Sequence, residues 1–188
     1  MAKNAPATMS QKELVKQKLL ILGIMLAVLW GVEIIDTVIG EVFQPYGIRP
    51  REAIGLLGLV TSPLLHADFT HLMSNTVPFA VLGFFVMLRG MDAFVRVTLV
   101  TAVVGGLCVW LVAGSNSNHI GASGVIFGYF GYLIGAGVFE RSFKSIAAAV
   151  LVGLLYGGII FGVFPGQAGV SWEGHLFGFL AGGGLAWH

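Results

Sequence analysis

Six apolar runs, each near the length of a bilayer crossing, govern what this chain can become. They cover residues 19–39, 69–88, 93–113, 123–139, 145–163 and 172–187. A helix that crosses a bilayer needs about 20 apolar residues, within roughly 17–25. Charged residues make up 10% of the chain and hydrophobic ones 56%, with a mean hydropathy of +0.90. Soluble domains carry roughly 25% charge, so the expected class is an all-α, polytopic membrane protein. A net charge of +1 offers nothing to nucleic acid. The single cysteine, Cys108, lies mid-run, where it reads as core, and it allows no intrachain disulfide. The first run follows a polar arm, residues 1–18, and has no small-residue cleavage pattern after it, so it reads as a retained span. The expected division is therefore a polar cytoplasmic arm, 1–18, and one six-helix membrane domain, 19–188.

Residues 40–68 are too interrupted by proline and glycine to span and too apolar for a free linker. They predict a folded interfacial loop. Glu33 and Asp36, in the last turns of the first run, should sit at an interface or against protein. Lys and Arg orient the spans. Lys3, Lys12, Lys16, Lys18, Arg89, Arg96, Arg141 and Lys144 fall on one side, and Arg49 and Arg51 on the other. The termini are expected in the cytoplasm, with the 40–68 loop, the loop before Ser123 and residues 164–171 outside.

Two runs carry glycines at helical spacing: Gly124, Gly128, Gly131 and Gly135 in the fourth, and Gly174, Gly178 and Gly182 in the sixth. Such ridges let helix backbones approach closely in lipid. Pairing them brings Ser123, at the outer end of the fourth, to the depth of His175, at the outer end of the sixth. Alone, Ser123 in Gly121-Ala122-Ser123-Gly124 is a helix-start serine in a packing motif, and His175 alone is an interfacial histidine. Together they suit a nucleophile beside a general base. Small neighbours, Gly121, Ala122 and Gly124, leave room for a substrate backbone. No carboxylate has a place behind His175, since Glu173 is two residues away on a helix, so the expectation is a dyad.

His71 and Asn75 are spaced i, i+4 on one face of the second run. Both offer N–H donors, which an acyl-transfer site aims at its oxyanion together with the Ser123 N–H. His66 lies in the loop and reads as a brace. Zinc held by His66, His71 and His175 is the rival use, but their spacing departs from the usual ligand patterns. His119 has no evident task. The nucleophile-elbow motif Gly-x-Ser-x-Gly is absent, since Val125 stands at its last position.

Three motifs together, His66-x4-His71-x3-Asn75, Gly121-Ala122-Ser123-Gly124 and Gly174-His175-x2-Gly178-x3-Gly182, resemble those of the rhomboid intramembrane serine proteases, in the family's order and on the family's spans. The resemblance covers nearly all of the chain beyond the arm. It implies a six-helix bundle in which Ser123 is the nucleophile and His175 the base. His71 and Asn75 would stabilise the oxyanion, and Gly121 would shape the site loop, with no cofactor and no metal. There are departures. Tyr46-Gly47-Ile48-Arg49-Pro50-Arg51 stands where better-known members often carry a Trp-Arg pair in the first outer loop. Phe127 replaces a tyrosine and can stack on His175 but not donate to it, and Gly174 stands where alanine is common. The implied activity is cleavage of other proteins' transmembrane segments at a wet cavity facing outward, in a bacterial inner membrane. Residues 164–171 would serve as a mobile cap. The alternative is a rhomboid-like binder of membrane clients without catalysis. A transporter would ask for charges mid-span, which the runs lack. Oligomeric state is not readable.

Overall fold

The computed structural model describes residues 10–167 and 169–187. Residues 1–9, half of the polar arm, and His188 lie outside that range. Among the described residues the chain is helical, and its one β-type contact is an isolated antiparallel bridge between Ile48 and His119. The principal helices are α1 (Gln11–Ile39), α2 (Phe69–Leu88), α3 (Met91–Val112), α4 (Ser123–Phe139), α5 (Phe143–Val163) and α6 (Trp172–Leu185). Four of them, α1, α2, α3 and α5, are long and apolar enough to cross a membrane. At about 1.5 Å per residue, the 17 residues of α4 give about 26 Å. The 14 of α6 give about 21 Å by the same rise.

Helix α1 begins well before residue 19. Ser10 and Glu13 form a capping box: the Ser10 hydroxyl accepts from Glu13 N–H, and the Glu13 carboxylate accepts from Ser10 N–H. This satisfies two of the free N–H groups at a helix start. The second half of the arm is therefore helix. At the far end Glu33 and Asp36 are buried, and Asp36 Oδ1 accepts from Phe43 N–H at 2.7 Å. Cys108 is half-buried rather than core.

Helix α4 is the hub. Its residues from Val125 to Leu133 are buried in one unbroken stretch, against Leu72, Phe79 and Leu82 of α2 and Phe94 and Val97 of α3. Large apolar side chains such as Leu20, Val38, Phe143 and Leu154 point outward instead, a surface that suits lipid rather than water.

The glycine ridges meet as expected. A Cβ on Gly178 would strike the Gly124 carbonyl, one on Gly182 the Gly128 carbonyl, and one on Gly131 the Phe179 carbonyl. Gly128 points its own missing side chain at Thr101 of α3. There α3 widens into one π-helical turn, Thr101–Gly105, which lays Gly105 against the Phe177–Gly178 backbone.

Residues 40–68 fold into short helical turns, Gln44–Tyr46, Ile54–Leu56, Gly58–Thr61 and Ser62–Leu64. They are tied to the segment before Ser123. Ile48 and His119 exchange backbone hydrogen bonds of 2.9 and 3.0 Å, and Gly121 N–H donates to Ser62 C=O at 2.9 Å. Arg51 donates to Leu111 C=O and Ser115 Oγ, and Trp110 Nε1 donates to Glu52 C=O. At the other end of the bundle Arg89 donates to Glu140 and to Ser145 Oγ, and Ser145 donates to Glu140. Burial would raise the Glu140 pKa, but the Ser145 and Arg89 hydrogen bonds outweigh it and hold it below the ordinary value.

Candidate active site

Ser123 is the first residue of α4, so its backbone N–H has no intrahelical partner. The turn before it passes through Gly121 at φ +115°, a conformation side chains rarely adopt. A Cβ there would also lie 2.7 Å from His71 Cε1. Glycine is needed at this point twice over, and the result is that the His71 ring rests on the backbone beside Ser123 Oγ.

Ser123 Oγ is 2.9 Å from His175 Nε2. His175 Nδ1 is 3.0 Å from the Gly162 carbonyl oxygen. A carbonyl only accepts, so Nδ1 carries the proton and Nε2 is left as the acceptor for the serine O–H. This is the tautomer a general base requires. Phe127 stacks on the His175 ring, with centroids 4.1 Å apart and planes within 7°. At the ring edge, a Cβ on Gly162 would meet His175 Nδ1 at 2.8 Å and Phe127 Cζ at 3.1 Å. The imidazole is thus held by an aromatic ring on one face and by the last turn of α5 at its edge.

His71 Nδ1 accepts from Ala67 N–H at 3.4 Å, leaving the proton on Nε2, the atom that faces Gly121. Asn75 is buried and donates from Nδ2 to the His71 carbonyl at 3.0 Å, so one of its two amide protons stays uncommitted. His66 is buried and accepts from Ala122 N–H at 3.4 Å through Nε2, with its ring edge-on to His71 at 5.1 Å. Burial, and then the neighbouring His71, push its pKa down to about 4. It is a neutral brace behind the serine turn. Burial also lowers the pKa of His119, against an opposing pull from Glu173. Among the described residues no three His, Cys, Asp or Glu side chains converge within metal-ligating reach.

These groups line a cavity of about 830 Å³. Ser123, His71, Asn75, Phe127 and His175 share it with Gln44, Ser117, Asn118, Gln167 and Glu173. The structure therefore gathers Ser123, His175, His71, Asn75, Gly121 and Phe127 at one point. His66 stands one layer behind them. Gly124 faces the α6 backbone at the Gly174 carbonyl rather than the cavity. Two contributors were not visible as motifs: the Gly162 carbonyl and the side chain of His119.

A family model for the Rhomboid domain matches residues 54–188. The chain belongs to the rhomboid family. The proteins it is similar to differ in identity. An uncharacterized protein of Mycobacterium tuberculosis is 44% identical over 164 residues, which is 83% of this chain and 68% of that protein. YdcA of Bacillus subtilis, named as a candidate rhomboid protease, is 28% identical over 135 residues, covering 66% and 62%. Rhomboid-like protein 11, chloroplastic, of Arabidopsis thaliana is 31% identical over 147 residues, covering 68% and 50%. Membership and the apolar helices make this an integral membrane protein.

Proposed function

We propose that this rhomboid is an intramembrane serine endopeptidase that cuts transmembrane segments of other proteins. The observation that carries the reading is the 2.9 Å contact of Ser123 Oγ with His175 Nε2, together with Nδ1 committed to the Gly162 carbonyl. In the first step Oγ bonds to the substrate carbonyl carbon while its proton passes to Nε2. The negative charge that develops on the carbonyl oxygen meets the Ser123 N–H, His71 Nε2–H and the uncommitted Asn75 N–H. Such donors act most strongly where water is scarce. The protonated His175 then returns its proton to the amine as the C–N bond breaks. Water attacks the acyl-enzyme with His175 again as base. The polar side chains around the cavity, Gln44, Ser117, Asn118 and Gln167, give water a route to the ester.

The reading carries a topology with it. All six helices enter the bilayer with cytoplasmic termini, residues 40–68 pack at the outer interface, and Gln167, Gly169, Val170 and Ser171 border the cavity as part of its cap. A bacterial cell membrane is the fitting location. The membrane domain works without a cofactor, on substrates delivered through lipid. Labelling of purified protein by a serine-directed fluorophosphonate tests the reading. The wild type should be labelled and Ser123→Ala should not. Absence of labelling in both, with the fold intact, would leave a client-binding relative instead.

A further inference from the structure

His119 joins the loop that carries Ser123 to the helix that carries His175. It is buried, and both ring nitrogens are engaged. Nε2 lies 2.7 Å from Ser117 Oγ, and Nδ1 lies 2.6 Å from Ser171 Oγ. Ser171 is the N-cap of α6, accepting from Gly174 N–H at 3.2 Å, one residue before His175. Ser117 Oγ is 2.6 Å from the Gly114 carbonyl.

Proton counting fixes the direction of this chain. A hydroxyl has one proton to give. That of Ser117 goes to the Gly114 carbonyl, which can only accept. Ser117 Oγ therefore receives the N–H of His119 Nε2. Neutral His119 then offers Nδ1 as acceptor, and the Ser171 proton goes there. Every donor is used once, from Gly174 N–H through to the Gly114 carbonyl. The backbone of His119 is pinned as well, by its exchange with Ile48.

We propose that His119 is a positioning residue that sets the separation of Ser123 and His175 by clamping the serine loop to the N-cap of the histidine helix. The proposal rests on reading Ser123 and His175 as the reacting pair. Deeper in the bundle the glycine seam sets the α4–α6 spacing. The seam ends at Gly124 and Gly174, beside the two reacting residues, which lie in first turns, where helices open most easily. There the rigid ring bridges two short hydroxyl side chains that could not reach each other. Misplacement by about 1 Å costs roughly 10²-fold in rate, so the loss of this clamp should appear in kcat.

The experiment compares wild type, His119→Ala, His119→Asn and Ser117→Ala, purified in detergent. It reads fluorophosphonate labelling rate, kcat and KM on one cleavable transmembrane substrate, and thermal midpoint. His119→Ala should be labelled at least about tenfold more slowly, within the penalty for misplaced groups, with KM nearly unchanged. His119→Asn keeps an acceptor for Ser171 and should recover part of the rate. A wild-type rate in His119→Ala overturns the proposal. So does a loss that follows the thermal midpoint and is not recovered by asparagine. If His119→Ala does not fold, Ser117→Ala, which frees only the far end of the chain, decides by the same measures: a slower labelling rate supports the clamp and a wild-type rate overturns it. An unlabelled wild type overturns the protease reading and the clamp together, whereas a labelled wild type with an unaffected His119→Ala overturns the clamp alone.

Discussion

A serine hydroxyl attacks poorly until a neighbour takes its proton, and in the proposed reaction one backbone oxygen, that of Gly162, leaves His175 Nε2 free to do so. Ser123 and His175 should then behave as a unit. Each alanine variant is expected to lose nearly all peptidase activity, and the double variant to be little worse, because effects within a catalytic unit are not additive. Single and double variants assayed on one transmembrane substrate check this. Asn75→Ala removes one of the three proposed oxyanion donors, so it should keep a measurable rate with a kcat defect of about 10²–10³. His71→Ala should resemble it, since its Nε2–H is the free donor. If His71→Ala instead matched His175→Ala, the two histidines would need to exchange roles. His66 gives a different test. Its folded pKa of about 4 lies below the unfolded value of about 6.5. The unfolded chain therefore takes up a proton first as pH falls. The stability supplied by neutral His66 is complete above about pH 6.5 and is lost between there and about pH 4. The thermal midpoint in detergent should drop over that window, and His66→Gln should flatten the drop.

Among the elements, α4 and α6 depend on the absence of side chains. Gly178→Leu would drive a side chain into the Gly124 carbonyl and push the two helix starts apart. Activity should fall about 10²-fold or more, and the thermal midpoint should fall with it. Full activity in that variant would mean that this seam does not set the distance from Ser123 to His175. The seam was legible in the sequence because close approach in lipid leaves small residues four apart, and the spans were legible because lipid demands long apolar runs. Other features were legible only in part. The Ser10-x-x-Glu13 capping box is a readable signal, yet the surrounding lysines make those residues look like a loose arm. The π turn at Thr101 depends on what α3 must fit around, namely Gly128 and the α6 backbone, and no local pattern announces it. The acceptor behind His175 is a backbone carbonyl on another helix, which no residue letter encodes. His119 gives no motif because its partners, Ser117 and Ser171, lie on two different loops.

On the scale of the whole molecule, α4, which carries Ser123, is shorter than α1, α2, α3 and α5. At about 26 Å α4 falls short of the ~30 Å hydrocarbon layer, while α1, α2, α3 and α5 are long enough to cross it. The serine and histidine line the 830 Å³ cavity at the starts of α4 and α6. On the proposed reading, a substrate peptide bond must reach that cavity as extended chain. A transmembrane helix arrives with its carbonyls committed to i→i−4 hydrogen bonds, and exposing one requires several residues to unwind. Gly costs about 1 kcal/mol and Pro about 3 kcal/mol relative to Ala within a helix, so a segment that contains them near the cut has already lost part of what opposes unwinding. Replacing two such glycines by leucine should slow cleavage roughly tenfold or more, since each 1.4 kcal/mol of restored helix stability is about a factor of ten. The measurement is kcat/KM for a matched pair of substrates in the same detergent, with helicity near the cut followed by hydrogen exchange. Equal rates for a pair whose helicity differs would mean that the chain is cut where it is already extended, outside the hydrocarbon layer, and that the depth of the cavity does not select the substrate.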